Sequence, residues 1–402
     1  MEFLPIELYN NIFEYIIKDQ IVTVQEIDDL IKLSLVCKKW KELVECMVTS
    51  IRIFQTFKGN QNIIKTIKSL NHLTNQNIQN NNQNNQNNQK NNQNNYLPIL
   101  CRLKVIQLCF GLNDDNIKNI TPMLCSYKFI STINLSKNNL GSNSIKSLKP
   151  LIVNNNNGEG IGKGLKLVLA GNNIGVQGAR RLSKYLSSRL CNLVELDISN
   201  NKLNDNGTKM LMMALVNNQS LESINLSGNN IGKDSVVYLK EVFKYNQKIK
   251  IMDLSFNWIQ DGSYQLLHFL FYNRLRRNQV SLNLNYNKIQ EIGIQQINKL
   301  FVELSLILTY GIVPASLEAG QNMGGGGETY TRMSHQPKND FSNSNYYNNY
   351  RGDSSCFPPI FPIDRLDING NDCEMDTTKA VYSNLDTLRT QYNHMLLKVA
   401  TN

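Results

Sequence analysis

The feature that most constrains this chain is a repeat: six segments align on the pattern L-x-x-L-x-L-x-x-N-x-L, with other apolar residues at some of the Leu positions. Its clearest copies are LVELDISNNKL at 193–203 and LESINLSGNNI at 221–231. The long first interval between copies contains an inserted run at 154–157, and a seventh, degenerate copy begins at Leu103. A unit of this size cannot bury its own apolar face, so the repeats must stack on one another. The aligned asparagines are spaced by 34, 29, 28, 28 and 30 residues and form a predicted structural ladder: Asn138, Asn172, Asn201, Asn229, Asn257 and Asn287.

Each unit carries its own folding signals. The alternating L-x-L residues predict a short strand with one buried face. The asparagine that follows is expected to satisfy backbone groups where the chain turns away from the strand. A glycine-bearing turn and apolar residues at helical spacing come next, as in 172–186. The sequence therefore predicts an α/β fold in which short strands and helices alternate.

The 28-residue spacing and the G-x-x-G-A-x-x-L segment at 175–182 resemble the ribonuclease-inhibitor subtype of leucine-rich repeats. The resemblance covers roughly residues 100–305. It implies a curved solenoid with a parallel sheet on the concave side and helices on the convex side. It also implies that a partner protein binds along the concave face.

Strand residues between the two buried positions are expected to point out of the concave sheet. Asn134 and Val168 occupy this position in the first units. The row is small, polar and mildly acidic, which favours a protein-binding surface over a nucleic-acid groove. Its predicted partner-binding members are Glu195, Asp197, Asn225, Asp253 and Asn283.

Three aromatic residues, Phe256, Trp258 and Tyr286, follow the strands of neighbouring units. Equivalent positions of adjacent repeats lie about 5 Å apart. The three side chains could therefore form one aromatic patch, and aromatic residues are favoured interface anchors. The alternative is that these side chains only pack on neighbouring turns.

The N-terminus has two amphipathic helical segments. Pro5 suits a first helical turn, and Leu8 and Ile12 begin an apolar stripe. The sequence L-P-I-E-L at 4–8, followed by L-S-L-V-C-K-K-W at 33–40, resembles the F-box motif. An ordinary helical cap on the solenoid is the alternative, and the segment at 17–29 is longer than the usual F-box link.

The F-box resemblance implies binding to the Skp-type adaptor of the SCF ubiquitin ligase, and through it to a cullin. The contact would bury apolar area, which is favourable by about 25 cal/mol per Å² before association costs. The positions carried over from the family are Leu4, Pro5, Leu8, Ile12, Leu35, Val36, Cys37 and Trp40.

Composition divides the chain further. We expect an F-box-like helical module at 1–50, a connector or N-terminal cap of the solenoid at 51–74 and a disordered Asn/Gln tract at 75–96. The solenoid of about seven repeats would occupy 97–310. A disordered linker at 311–375 and a short amphipathic helix at 376–399 would follow, the helix docking on the body or on a partner.

Charge differs between these regions. Residues 1–50 and 301–402 each carry a net charge of −4, whereas 51–300 carries +18. A basic nucleic-acid scaffold remains an alternative, but solvated helix faces explain the charge and nucleic acid is not expected as a partner. No secretory signal is expected from residues 1–7, which have no basic or long apolar segment, and no apolar run is long enough for a membrane span. The eight cysteines form no C-x-x-C pair. These features predict a cytoplasmic or nuclear protein without disulfides.

No catalytic set, metal site or cofactor motif is expected. The four histidines are far apart in sequence, and no zinc spacing, Walker loop or nucleophile elbow occurs. The prediction is therefore a non-enzymatic substrate-recognition subunit of an SCF-type E3 ubiquitin ligase. The alternative is a leucine-rich-repeat scaffold that regulates a small GTPase or the cytoskeleton.

Overall fold

A computed structural model describes residues 50–54, 103–109, 111–127, 129–153, 164–272, 278–310 and 361–401. The chain forms two compact units, one comprising residues 1–231 and 248–254 and the other 232–247 and 255–402. The predicted F-box module lies outside the described residues except for Ser50, and the Asn/Gln tract lies wholly outside them.

The first unit contains a parallel sheet whose strand order follows the chain. Its helices follow the strands, because parallel neighbours need a crossover connection. The described helices are α1 (Asp114–Ser126), α2 (Ser142–Ser147), α3 (Lys149–Ile152), α4 (Gly175–Leu186) and α5 (Asn204–Leu215). The strands are β1 (Ser50–Phe54), β2 (Val105–Cys109), β3 (Thr132–Asn134), β4 (Leu165–Val168), β5 (Leu193–Asp197), β6 (Ser223–Asn225) and β7 (Ile251–Asp253).

The second unit repeats the same alternation. A 3-10 turn (Lys233–Ser235) leads into its first helix, and its two strands pair in parallel. The elements are α6 (Val236–Tyr245), α7 (Gly262–Tyr272), β8 (Val280–Asn283), α8 (Glu291–Tyr310), β9 (Ile363–Asp367) and α9 (Met375–Thr401).

The apolar positions of the repeat form the core. Leu196, Ile224 and Met252 occupy the same register on β5, β6 and β7, and all three are fully buried. Each contributes apolar area that its own unit could not cover. The predicted alternation of strands and helices around a parallel sheet is confirmed.

The ladder asparagines join successive repeats through their side-chain amides. The Nδ2 of Asn201 donates to Leu169 O at 2.9 Å and to Ser199 O at 2.8 Å, while its Oδ1 accepts from Ile174 N at 3.2 Å. Asn229 extends the connection, because its Oδ1 accepts from Asn201 N at 2.9 Å. Each such amide satisfies buried backbone groups of its own strand and of the preceding repeat.

The structure corrects the predicted linker at 311–375. Residues 363–367 form β9, and Asn371 makes the ladder contacts of a further repeat, with Nδ2 donating to Leu284 O at 3.2 Å and Ile368 O at 2.7 Å. The pattern Ile363-x-x-Leu366-x-Ile368-x-x-Asn371 was not recognised because Asn371 lies 84 residues after Asn287. The repeats therefore continue beyond 310.

The C-terminal helix docks on the body of the second unit. Val381, Leu385 and Leu388 are buried where α9 packs on α8. The carboxylate of Glu291 on α8 accepts from Glu374 N at 3.0 Å and from the Thr377 hydroxyl at 2.7 Å, which fixes the start of α9. Of the two sequence alternatives for this helix, its described contacts match docking on the body.

The Asn229→Ala substitution is expected to destabilise the first unit by about 3–5 kcal/mol. It would remove the hydrogen bonds from its Nδ2 to the carbonyls of Ile198 and Leu226, each worth about 0.5–1.5 kcal/mol, and leave the buried N–H of Asn201 without its acceptor, at a cost of about 1–3 kcal/mol. Guanidinium denaturation followed by circular dichroism measures the shift. Asn206→Ala, at an exposed position of α5, is the control, and equal midpoints for the two variants would contradict the ladder's energetic role.

The hydrogen bonds from Glu374 and Thr377 to Glu291, which anchor the start of α9, should weaken in acid. Hydrogen bonds from Thr377 and Glu374 hold the pKa of Glu291 below its ordinary value of 4.5. A lowered pKa in the folded state stabilises the protein above pH about 4.5, and the stabilisation is lost as the pH falls through the lowered pKa. The melting-temperature difference between the native chain and Glu291→Gln should therefore shrink from pH 7 to pH 3. An unchanged difference, or one equal to that of the exposed control Asp234→Asn, would argue against the anchor.

Candidate protein-binding surface

The polar strand residues of the first unit have a structural task of their own. The side-chain oxygens of Asn134, Asp197 and Asn225 each accept, at 2.9 Å, the N–H of the residue two positions on. This local bond stabilises the backbone where each strand ends. All three side chains are half-buried, so part of each still faces solvent.

The acidic character of this face is smaller than the sequence predicts. Glu195 forms an ion pair with Lys166, whose Nζ lies 2.6 Å from its carboxylate on the neighbouring strand. Asp253 is half-buried at the same register position as Asn225. A partner would therefore meet a mixed polar surface here.

The other predicted binding residues, Phe256, Trp258, Asn283 and Tyr286, belong to the second unit. Asn283 repeats the local bond of the first unit, because its Oδ1 accepts from Asn285 N at 3.1 Å. The carboxylate of Asp367 on the adjacent strand β9 is paired with Arg365 at 3.0 Å.

Two aromatic contacts lie in the turns of the second unit that contain the ladder residues Asn257 and Asn287. The rings of Phe256 and Tyr286 are stacked, with centroids 4.5 Å apart and planes inclined by 12°. They remain 59% and 50% exposed, and Trp258 is 52% exposed. The Nζ of Lys288 lies 4.6 Å from the centroid of the Trp258 ring. We call Phe256, Trp258, Tyr286 and Lys288 the aromatic cluster.

The two sequence alternatives for these aromatics are both partly realised. Phe256 and Tyr286 do pack on neighbouring turns, since each ring stacks on the other. Their packing leaves about half of each side chain in solvent. Exposed aromatic rings in a fixed arrangement can anchor another polypeptide.

The backbone at Phe256 and Tyr286 is left-handed, with φ of 54° and 55°. Both residues directly precede a ladder asparagine. In each described repeat the residue at this position has a positive φ, which turns the chain away from the strand. The equivalent residues elsewhere are smaller or flexible: Lys137, Gly171, Asn200, Gly228 and Gly370, with φ between 53° and 66°. A bulky aromatic residue in this conformation is costly, by about 1–3 kcal/mol.

Gly370 supports the ring of Tyr286. It occupies the position equivalent to Tyr286 in the next repeat, with φ of 65°. A Cβ atom on Gly370 would lie 2.1 Å from Cε1 of Tyr286. The glycine therefore allows the ring to lie directly on the backbone of the final repeat.

Sequence reasoning missed two members of this surface, Lys288 and Gly370. A signal for Lys288 was present, since it lies two residues after Tyr286, just as Trp258 lies two residues after Phe256. Gly370 could be found only by extending the repeat alignment to 363–373. The adaptor-contact residues predicted between Leu4 and Trp40 lie outside the described residues.

In the part of the chain that the structure describes, no three His, Cys, Asp or Glu side chains are grouped as metal ligands. The pKa of His268 is lowered by burial and by Lys240, and this residue packs between Tyr264 and Tyr272 on α7. Among the described helices, none combines the length and the apolar character that a bilayer crossing requires.

Comparison with known proteins identifies the repeats. A leucine-rich-repeat family model matches residues 189–212 and 217–240, and no F-box domain is detected. Similar proteins include human NACHT, LRR and PYD domains-containing protein 13, which is 36% identical over 88 residues, covering 21% of this chain and 8% of the relative. Mouse NACHT, LRR and PYD domains-containing protein 14 is 28% identical over 169 residues, covering 42% of this chain and 16% of the relative.

Mouse NACHT, LRR and PYD domains-containing protein 5 is 32% identical over 121 residues, covering 30% of this chain and 10% of the relative. The chain thus matches no more than 16% of the length of these three relatives. The findings agree on leucine-rich repeats.

Gly370→Ala should displace Tyr286. The methyl group adds a clash with the ring to a conformational cost of about 1–2 kcal/mol for a left-handed alanine. Gly171→Ala is the matched control, because its φ is 66° but its Cβ would meet nothing closer than 3.6 Å. Denaturation midpoints should fall further for Gly370→Ala than for Gly171→Ala.

The double variant Tyr286→Ala/Gly370→Ala isolates the clash. Removing the ring should relieve the steric part, so the double variant should lose less stability than the sum of the two single variants. Strict additivity would show that Tyr286 does not rest on Gly370.

Proposed function

We propose that this leucine-rich-repeat chain is a substrate-recognition subunit of an SCF-type E3 ubiquitin ligase. Its N-terminal segment would bind the Skp-type adaptor and, through it, the cullin, while the repeats hold a target protein. Ubiquitin transfer would be carried out by other subunits, so the chain itself needs no catalytic residues. The observation that carries the proposal is the F-box-like sequence at 4–40, which is followed along the chain by repeats with an exposed aromatic cluster.

The adaptor-binding half rests on the sequence. Leu8 and Ile12 follow Pro5 at the spacing of one helical face, and Val36, Cys37 and Trp40 match the second part of the F-box pattern. Burial of such side chains is the dominant favourable term in most protein association. The long segment at 17–29 would lie between the two parts and could tune adaptor affinity.

The target-binding half is supported by the second unit. The aromatic cluster combines about half-exposed rings with a backbone that the ladder asparagines hold in place. Rings that are already ordered lose little conformational entropy when a partner binds. The polar strand residues of each unit would add hydrogen bonds around such an anchor.

A second candidate is a leucine-rich-repeat scaffold without a ubiquitin-ligase link, which would regulate a small GTPase or the cytoskeleton. The observation that favours it is that both the family model and the similar proteins match the repeats, while no F-box domain is detected.

Affinity purification of the tagged full chain separates these candidates. The native chain should retain the adaptor and cullin together with a target protein. Leu8→Asp places a charge on the apolar face and should abolish adaptor and cullin recovery while leaving the target bound. Trp258→Ala/Tyr286→Ala should have the opposite effect and reduce target recovery.

Two controls keep the result interpretable. Leu8→Met preserves apolar volume and should retain the adaptor. Circular dichroism should show the same helix content and a cooperative thermal unfolding transition in all variants, so that each variant is folded at the temperature of the purification. Recovery of a target without adaptor or cullin by the native chain would overturn the ligase assignment and favour the scaffold.

A further inference from the structure

The stacked rings of the aromatic cluster are held in place by a strained backbone, and the conformational strain is not offset by burial of the rings in the core. Phe256 and Tyr286 both hold left-handed φ values, yet about half of each side chain lies in solvent. Glycine or asparagine at the same position makes the turn without this cost, as Gly228 and Asn200 do. Strain of this kind persists at positions that contact ligands.

The stack has a defined support and a defined open side. Tyr286 lies on Gly370, where even a methyl group would not fit. Phe256 covers the opposite side of Tyr286 at 4.5 Å and is itself 59% exposed. The result is a flat apolar platform that can receive a side chain without rearranging.

Lys288 supplies a cation two residues after Tyr286. Its ammonium lies over the Trp258 ring at 4.6 Å, and no carboxylate within 4.0 Å of it is found among the described residues. The carboxylate of Asp367 on β9 is already paired with Arg365. An ammonium has three donors, so the contact with the indole ring leaves Lys288 able to bind an anion.

We propose that the aromatic cluster binds an extended acidic segment of a partner protein. An aliphatic or proline side chain of that segment packs on the Phe256–Tyr286 stack, and a neighbouring carboxylate pairs with Lys288. The inference rests on the proposed role of the repeats in holding a target and is independent of the adaptor.

Charge favours a peptide over a nucleic acid at this site. Nucleic-acid binding by a stacking platform requires a row of cations along the phosphate backbone. The cluster contributes one lysine, and the strand residues next to it are asparagines and a paired aspartate. One cation beside an apolar platform matches one carboxylate beside an apolar side chain.

Selection from a random library of 12-residue peptides displayed on phage tests the proposal, with the immobilised full chain as bait. Retained peptides should be enriched in Asp or Glu next to Pro, Leu, Ile or Val. Synthetic peptides of the consensus should bind Trp258→Ala/Tyr286→Ala and Lys288→Glu about tenfold more weakly than the native chain. Lys299→Glu, an exposed charge reversal on α8, should bind them as the native chain does.

Charge reversal gives the sharpest outcome. A library selected on Lys288→Glu should lose its acidic residues and gain Lys or Arg beside the same apolar side chains. An acidic consensus that persists on Lys288→Glu, a consensus without acidic residues on the native chain, or equal binding by Trp258→Ala/Tyr286→Ala would overturn the proposal. Salt-sensitive binding of single-stranded oligonucleotides that is lost in the same variants would overturn it in favour of nucleic acid.

The library result is distinct from the ligase question. Peptide binding is assigned to the repeats by its loss in the cluster variants, whereas adaptor recovery is measured with Leu8→Asp. A failed selection with intact adaptor recovery would reject the acidic ligand alone, and a successful selection without adaptor recovery would reject the ligase role alone.

Discussion

The buried asparagine amide is the interaction on which the repeats depend. A strand that ends inside a stack leaves carbonyl and amide groups that water cannot reach, and such groups are costly unless they are paired. Asn201 and Asn229 provide donors and an acceptor in one planar group, so one side chain serves its own repeat and the preceding one. The apolar core supplies most of the favourable energy, but the amides fix the register in which that core can form.

The same constraint creates the surface where a partner could bind. Each turn into a ladder asparagine requires a left-handed residue directly before it. That residue points away from the core, so its side chain can vary without disturbing the stack. Glycine, asparagine and lysine occupy it in the first unit, whereas Phe256, Tyr286 and Gly370 occupy it in the second. The constant asparagine of each repeat is thus directly preceded by a residue whose side chain varies from repeat to repeat.

The sequence predicted the alternation of strands and helices because period and hydrophobicity agree in every copy. It also indicated that Phe256 and Tyr286 are neighbours, since the register places equivalent residues of adjacent repeats side by side. It missed the repeat at 363–373, because sequence spacing does not reveal a neighbour 84 residues away. Lys288 and Gly370 were missed because their roles depend on side chains of adjacent repeats, which only three-dimensional packing brings into contact.

The large sequence separation between β8 and β9 affects the entropy and the kinetics of folding. Contacts between Asn287 and Asn371 close a loop of 84 residues, whereas those between Asn201 and Asn229 close one of 28. Loop-closure entropy makes the longer closure about 1 kcal/mol more costly. We therefore expect the repeat at 363–373 to fold after its neighbours and to unfold locally before them. Local unfolding there would remove the contact between the Tyr286 ring and Gly370.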